Sequence, residues 1–171
     1  MNGRDLTNVR TVTEDEIRLL EARWRVREIT EADLHALADD LLARGEDDEQ
    51  LIALFALDRN ELRWAGADAF ELLLRHWGGG TMGEAEAVEL VVRTLAAGVL
   101  DGTISPTEAS SRAHAIDVRT HYQYAALAGW RDLHEELGYM DRRGLSYRGR
   151  PQSEVEADAK ALARSIVGGH S

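Results

Sequence analysis

The stretch EAEAVELVVRTLAAGVLDGTISPTEA, residues 84–109, decides the fold class of this chain. Its apolar side chains recur at the spacing of one helix face: Val88, Val91, Val92, Leu95 and Val99. Gly102 is of the residue type that most often ends a helix. Ser105, followed by Pro106 and Glu108, is typical of a helix start. The stretch therefore predicts two helices joined by a short turn.

The same helical spacing recurs along the rest of the chain. Three more apolar faces follow it: Leu34, Leu37, Ala38, Leu41 and Leu42; Phe70, Leu73, Leu74 and Trp77; and Val155, Ala159, Leu162, Ala163 and Ile166. Such faces have to be buried against other helices. The sequence predicts an all-α fold, with a single domain over 1–171 built as one bundle of about seven to eight helices. A short irregular helical stack is the alternative.

Capping residues predict where helices begin and end. Thr13 and Glu16 match a capping box at the start of the first helix. We expect further N-caps at Thr30, Asp47, Thr81 and Ser153. Gly45 predicts the end of the second helix. The helical pattern from Pro106 to Leu137 is either continuous or broken near Thr120.

Composition restricts the class of protein. With 44% hydrophobic and 30% charged residues, the 171-residue chain resembles a soluble globular protein. It has no cysteine, which excludes disulfides, thiolate metal sites and cysteine nucleophiles. No apolar run approaches the roughly 18 residues of a membrane span. Residues 1–12 form a polar N-terminal tail without the apolar segment of a signal peptide, so we expect a cytoplasmic protein.

The negative charge is concentrated in the first part of the chain. Of the net −11, residues 1–61 contribute −8, whereas residues 111–171 contribute +1. An acidic surface repels the phosphate backbone, so we expect no nucleic-acid partner. Its long-range field attracts a basic protein surface, although ordinary solubility explains the same acidity.

The acidic turn after Gly45 is the candidate contact surface. We expect partner contacts at Asp39, Asp40, Glu46, Asp47, Asp48, Glu49, Asp58 and Glu61, unless these residues only form a solvated face. Trp64 lies outside the apolar face of its helix. Core packing is the favoured interpretation of Trp64, and a partly exposed anchor for a partner is the alternative.

One group of residues has the composition of a metal site. His114, Asp117 and His121 are spaced by three and four residues, which places them on one face if a single helix continues through them. Histidine and aspartate are ligands for divalent ions. A solvated helix face explains the same spacing, and no metalloenzyme signature is present. We therefore expect no metal or other cofactor, and keep a metal-dependent hydrolase only as an alternative.

Residues 140–152 show no periodicity and predict a basic surface loop before the last helix. The loop contains Arg142, Arg143, Arg148 and Arg150, with Tyr139 and Tyr147 as aromatic neighbours. We expect these arginines to pair with carboxylates of the acidic front half of the chain. A short basic interaction patch is the alternative.

Residues 91–109, VVRTLAAGVLDGTISPTEA, resemble a pattern of small helical immunity proteins from bacterial polymorphic toxin systems. In that pattern, a helix ending in Leu-Asp-Gly-x-Ile precedes a helix starting with Ser or Asp followed by Pro-x-Glu-Ala. The resemblance covers under a fifth of the chain and carries no functional residue with it. It implies a non-catalytic, intracellular protein that binds and blocks a toxin or effector. A self-associating structural or regulatory subunit is the alternative.

Overall fold

The computed structural model describes residues 11–169. The described residues form eight α-helices, one short 3-10 helix and no β-strand, which confirms the predicted all-α class. None of these helices combines the length and the apolar composition needed to cross a bilayer. Ten residues of the predicted N-terminal tail lie outside the described part. The helices form two compact units, comprising residues 11–24 with 29–82 (unit 1) and residues 25–28 with 83–169 (unit 2).

Unit 1 contains the first four helices, apart from the last residue of α1: α1 (Glu14–Arg25), α2 (Leu34–Ala43), α3 (Glu49–Ala56) and α4 (Arg59–His76). α3 packs against both α2 and α4. Trp24 of α1 meets Phe70 of α4 edge to face, with 5.0 Å between ring centroids. Trp24 also donates its indole N–H to Glu71 at 2.9 Å, which satisfies its polar atom. Phe70 itself is fully buried in a core of leucine, isoleucine and valine.

Unit 2 contains α5 (Glu84–Asp101), α6 (Pro106–Arg119), a 3-10 helix (Ala125–Leu127), α7 (Ala128–Gly138) and α8 (Gln152–Gly168). Its strongest helix contacts are α5 with α8 and α6 with α7. α7 also packs on α8, where a Cβ on Gly129 would lie only 3.0 Å from Leu162. The absence of a side chain at Gly129 thus allows the close approach of the two helices.

Several of the predicted helix ends are confirmed. Thr13 and Glu16 form the expected capping box, with both hydrogen bonds near 3 Å. Ser105 accepts the backbone N–H of Glu108, and Gly102 adopts a left-handed φ of 82° at the end of α5. The sequence left open whether the helical pattern from Pro106 to Leu137 is continuous or broken near Thr120; the structure has the break, because α6 ends at Arg119.

Four predicted N-caps are wrong. Asp33 rather than Thr30 precedes α2, and it accepts the N–H and hydroxyl of Thr30 instead of capping the helix. Asp48 rather than Asp47 caps α3. α5 and α8 begin after Gly83 and Pro151, so Thr81 and Ser153 are not caps.

Candidate partner-binding surface

The candidate acidic residues of unit 1 divide into exposed and internal groups. Asp39 and Asp40 are exposed on α2, and Asp47 and Glu49 are exposed at the start of α3. Asp58 and Glu61 are exposed at the start of α4 and form a capping box there. The structure therefore leaves most of the predicted carboxylates at the surface, although two of them also hold a helix end.

Glu46 is an exception, and its expected exposure is wrong. It is only 5% exposed, and one of its carboxylate oxygens accepts the backbone N–H groups of Thr11 and Val12 and the hydroxyl of Thr11. The preceding Gly45 has a φ of 88°, and the Glu46 N–H bonds back to the carbonyl of Leu41. This helix-ending turn directs Glu46 inward, so it is a structural residue.

Asp48 also has internal partners. Its Oδ1 accepts the N–H groups of Gln50 and Leu51 at the start of α3. Its Oδ2 accepts the indole N–H of Trp77 at 3.0 Å and lies 3.3 Å from His76 Nε2. With a side chain 10% exposed, Asp48 links the start of α3 to the end of α4 and offers little surface to a partner.

Core packing, the favoured interpretation of Trp64, is wrong. Glu46, expected at the surface, is buried, whereas Trp64, expected in the core, is exposed. Its surface is 88% exposed, although it lies in the middle of an ordered helix. Glu61 and Asp68 lie three residues before it and four after it, and Leu72, which is 47% exposed, lies one further turn along. This spacing places the four residues on one exposed face of α4. We call this set the α4 stripe.

Unit 1, to which this stripe belongs, carries most of the net negative charge of the described residues. Residues 11–24 and 29–82 contain 16 carboxylates and six arginines, a net charge of −10. The described residues of unit 2 contain 14 carboxylates and 12 basic residues, a net charge of −2. Almost all of the net charge of the chain therefore belongs to unit 1.

The structure does not assemble the alternative metal site. α6 ends before His121, which is exposed and has a positive φ of 54°. Asp117 is fully buried and accepts the Nε–H of Arg131 at 2.5 Å. His114 stacks on His134, with 4.3 Å between ring centroids. Among residues 11–169, no three histidine or carboxylate side chains are placed to hold a metal ion.

The end of α6 is strained, which the sequence did not indicate. His121 and Tyr122 both have positive φ angles, near 54° and 59°, where glycine is normally preferred. Their N–H groups bond to the carbonyls of Val118 and Asp117, which is the hydrogen-bond pattern of a Schellman end. The Arg131 guanidinium lies over the Tyr122 ring, 4.9 Å from its centroid. The Asp117–Arg131 ion pair and the contact of Arg131 with the Tyr122 ring together stabilise this turn.

The loop over 140–152 is ordered around a buried carboxylate. Glu136, only 3% exposed, accepts the hydroxyl of Ser146 and the Nη1–H of Arg150, with Arg148 at 3.6 Å. Arg150 also pairs with Asp158 of α8. The expected pairing with carboxylates of the front half is wrong, since these partners belong to α7 and α8. Leu145 and Pro151 form an antiparallel bridge that closes the loop.

Tyr139, Arg142 and Arg143 remain at the surface of this loop. Tyr139 is 72% exposed, and neither arginine forms an ion pair within the described part of the chain. The exposed arginines of the loop without an ion pair therefore lie in its first part, while Arg148 is also exposed but faces Glu136.

Comparisons with known proteins give no match to a family model, to a curated protein or to a solved structure.

Proposed function

We propose that this chain is a non-catalytic protein-binding module that blocks a basic protein, such as a toxin or effector, through unit 1. The α4 stripe is the centre of the contact surface, and the exposed carboxylates around it supply its charge. This is the mode of action that the resemblance to immunity proteins implies.

The main support for this proposal is the exposure of Trp64. A tryptophan that contributes nothing to the core of its own unit has a large apolar area available for burial against another molecule. Tryptophan is also enriched among the few residues that dominate the affinity of protein interfaces. Leu72 extends the apolar part of the stripe, while Glu61 and Asp68 lie beside it.

Charge indicates the kind of partner. A net −10 in unit 1 repels acidic surfaces and accelerates encounter with basic ones. The exposed carboxylates Asp39, Asp40 and Glu49 belong to the same unit and extend this field.

The buried carboxylates support a scaffold role. Glu21 accepts the N–H of Met82, Glu46 holds Thr11 and Val12, and Asp117 and Glu136 pair with arginines. Each of these carboxylates has internal partners that stabilise the fold.

The test starts with capture of partners from the native host on the wild-type chain and on Trp64→Ala. We expect a basic protein to be captured by the wild type, and its affinity for Trp64→Ala to fall by about 30-fold or more. Asp68→Lys should slow its association, and added salt should slow wild-type association more than it speeds dissociation.

Two exposed residues of unit 2 provide matched controls. Tyr139→Ala removes an exposed aromatic ring, and Glu89→Lys reverses an exposed helix charge. Both should bind like the wild type. Equal affinity of Trp64→Ala and Tyr139→Ala for the captured protein, or association that does not depend on salt, would contradict the proposal. A wild-type dimer that Trp64→Ala converts to a monomer would show that a second copy covers the stripe.

A further inference from the structure

We propose that a groove between the start of α2 and the start of α4 binds a small amphipathic anion, a carboxylate or phosphate carried on an apolar body. The groove has a volume of about 720 Å³ and lies entirely within unit 1. Small-molecule sites in proteins occupy roughly 300–1,000 Å³. The groove is lined by Glu31, Ala32, His35, Ala36, Leu57, Asp58, Arg59, Leu62 and Arg63.

The apolar part of the groove comes from both walls. Ala32 lies in the turn before α2 and Ala36 lies within α2, and both line the groove with short apolar side chains. Leu62 of α4 and Leu57 before it complete the apolar surface. An aliphatic or aromatic body fits this part of the groove, since it would exchange water contact for contact with these side chains.

The charged part of the groove comes from α4. Arg59 and Arg63 are one turn apart and exposed, and neither forms an ion pair with any carboxylate among the described residues. The nearby Asp58 accepts the N–H groups of Asn60 and Glu61 with its Oδ1, and its negative charge offsets one of the two arginine charges on this wall. Within the described part of the chain both guanidinium groups are without an ion pair, and carboxylate and phosphate are the groups that arginine binds best.

The opposite wall limits the ligand to one with a compact anionic group. Glu31 lies on that side and repels negative charge, while the His35 ring packs on Phe55 with 4.7 Å between centroids. A ligand with a single anionic group fits this arrangement. Its anionic group would lie at Arg59 and Arg63, and its apolar body would lie against Ala32 and Ala36.

The position of Arg59 is itself informative. It is the first residue of α4, at the positive end of the helix dipole, where acidic side chains are favoured and cations are not. A residue that opposes the local preference of its helix is expected at sites that serve a ligand. The same position makes a useful variant, because Arg59→Glu should not harm the helix.

The experiment is a titration of the full chain with decanoate and with decyl phosphate, followed residue by residue by amide NMR. We expect saturable shifts at residues 31–36 and 57–63. Uncharged decanol should bind at least tenfold more weakly than the better anion. The double variant Arg59→Glu with Arg63→Glu should lose at least tenfold in affinity for that anion. Arg75→Glu, a charge reversal at the other end of α4, should leave the affinity unchanged.

Binding of decanoate alone would identify a carboxylate ligand, and binding of decyl phosphate alone a phosphate ligand; either result supports the proposal. Shifts that never saturate, or that occur equally in the double variant, would overturn it. The absence of shifts with both probes would overturn it as well. The groove and the α4 stripe use different residues, so failure of one proposal leaves the other standing.

Discussion

Arg131 of α7 donates its Nε–H to the fully buried carboxylate of Asp117 on α6, with 2.5 Å between nitrogen and oxygen. The hydrogen bond to Asp117 raises the pKa of the Arg131 guanidinium above its ordinary value. This contact joins two helices that are separated by residues 120–127, which include the left-handed His121 and Tyr122. The pair is therefore a polar connection between α6 and α7 with a buried carboxylate.

Removal of Arg131 should destabilise the fold. Arg131→Ala leaves the Asp117 carboxylate buried without its cation, and we expect the free energy of unfolding to fall by about 3 kcal/mol. The value is at the lower end for such pairs because the Arg131 side chain is partly exposed. Urea unfolding measures the effect. Arg142→Ala, at an exposed loop position, should stay within about 0.5 kcal/mol of the wild type, and an equal loss there would refute the assignment.

Removal of the Glu46 carboxylate should also destabilise the fold. Glu46→Ala leaves the N–H groups of Thr11 and Val12 without their acceptor, and we expect a loss of about 3 kcal/mol. Glu49→Ala, at an exposed carboxylate three residues later, should change stability by about 0.5 kcal/mol or less. Thermal unfolding of both variants provides the comparison. Equal melting temperatures would mean that the Glu46 contacts contribute nothing.

His121→Gly should stabilise the fold. A left-handed conformation costs a residue other than glycine roughly 1–2 kcal/mol, and glycine recovers part of this while losing more chain entropy. We expect a gain of about 0.5–1 kcal/mol. Gly102→Ala makes the reverse change at a φ of 82° and should lose about 1 kcal/mol. A loss of stability in His121→Gly would show that the imidazole stabilises this turn.

His134 should make stability depend on pH. Burial lowers the pKa of His134 and the neighbouring His114 lowers it further, against an opposing effect of Glu135. As the pH falls below about 6.5, the ordinary value for histidine, the unfolded chain takes up the proton first. The free energy of unfolding should therefore decrease as the pH falls, until it reaches the lower pKa of the folded state.

Urea unfolding between pH 7.5 and 5.0 tests this dependence on His134. The lower limit avoids the range in which carboxylates such as Glu16 and Asp101 titrate, since hydrogen bonds from Thr13 and Thr103 lower their pKa values. His134→Gln should flatten the profile. An equal slope in the wild type and in His134→Gln would assign the dependence to other groups.

The helices could be predicted because the signals that fix them are local. The apolar face of α5 and the Ser105 cap of α6 involve residues within a few positions of one another. The wrong caps at Thr81 and Ser153 have the right spacing, but α5 and α8 start after Gly83 and Pro151. Spacing alone could not distinguish these start points.

The surface was harder to predict, because exposure depends on contacts between distant segments. Glu46 is buried since its carboxylate meets Thr11, 35 positions earlier. The periodicity placed Trp64 off the apolar face of α4, yet the preference of tryptophan for burial pointed the other way. His114 and Asp117 were noticed together, but their partners His134 and Arg131 come from α7, which local spacing cannot reveal.

The exposure of Trp64 gives the molecule an intrinsic fluorescent reporter. Of its four tryptophans, Trp130 is fully buried, Trp77 is almost so, and Trp24 is shielded against Phe70. A water-soluble quencher should therefore reach the Trp64 indole first. If a bound partner protects the Trp64 emission from the quencher, the partner covers the α4 stripe. This measurement needs no attached dye.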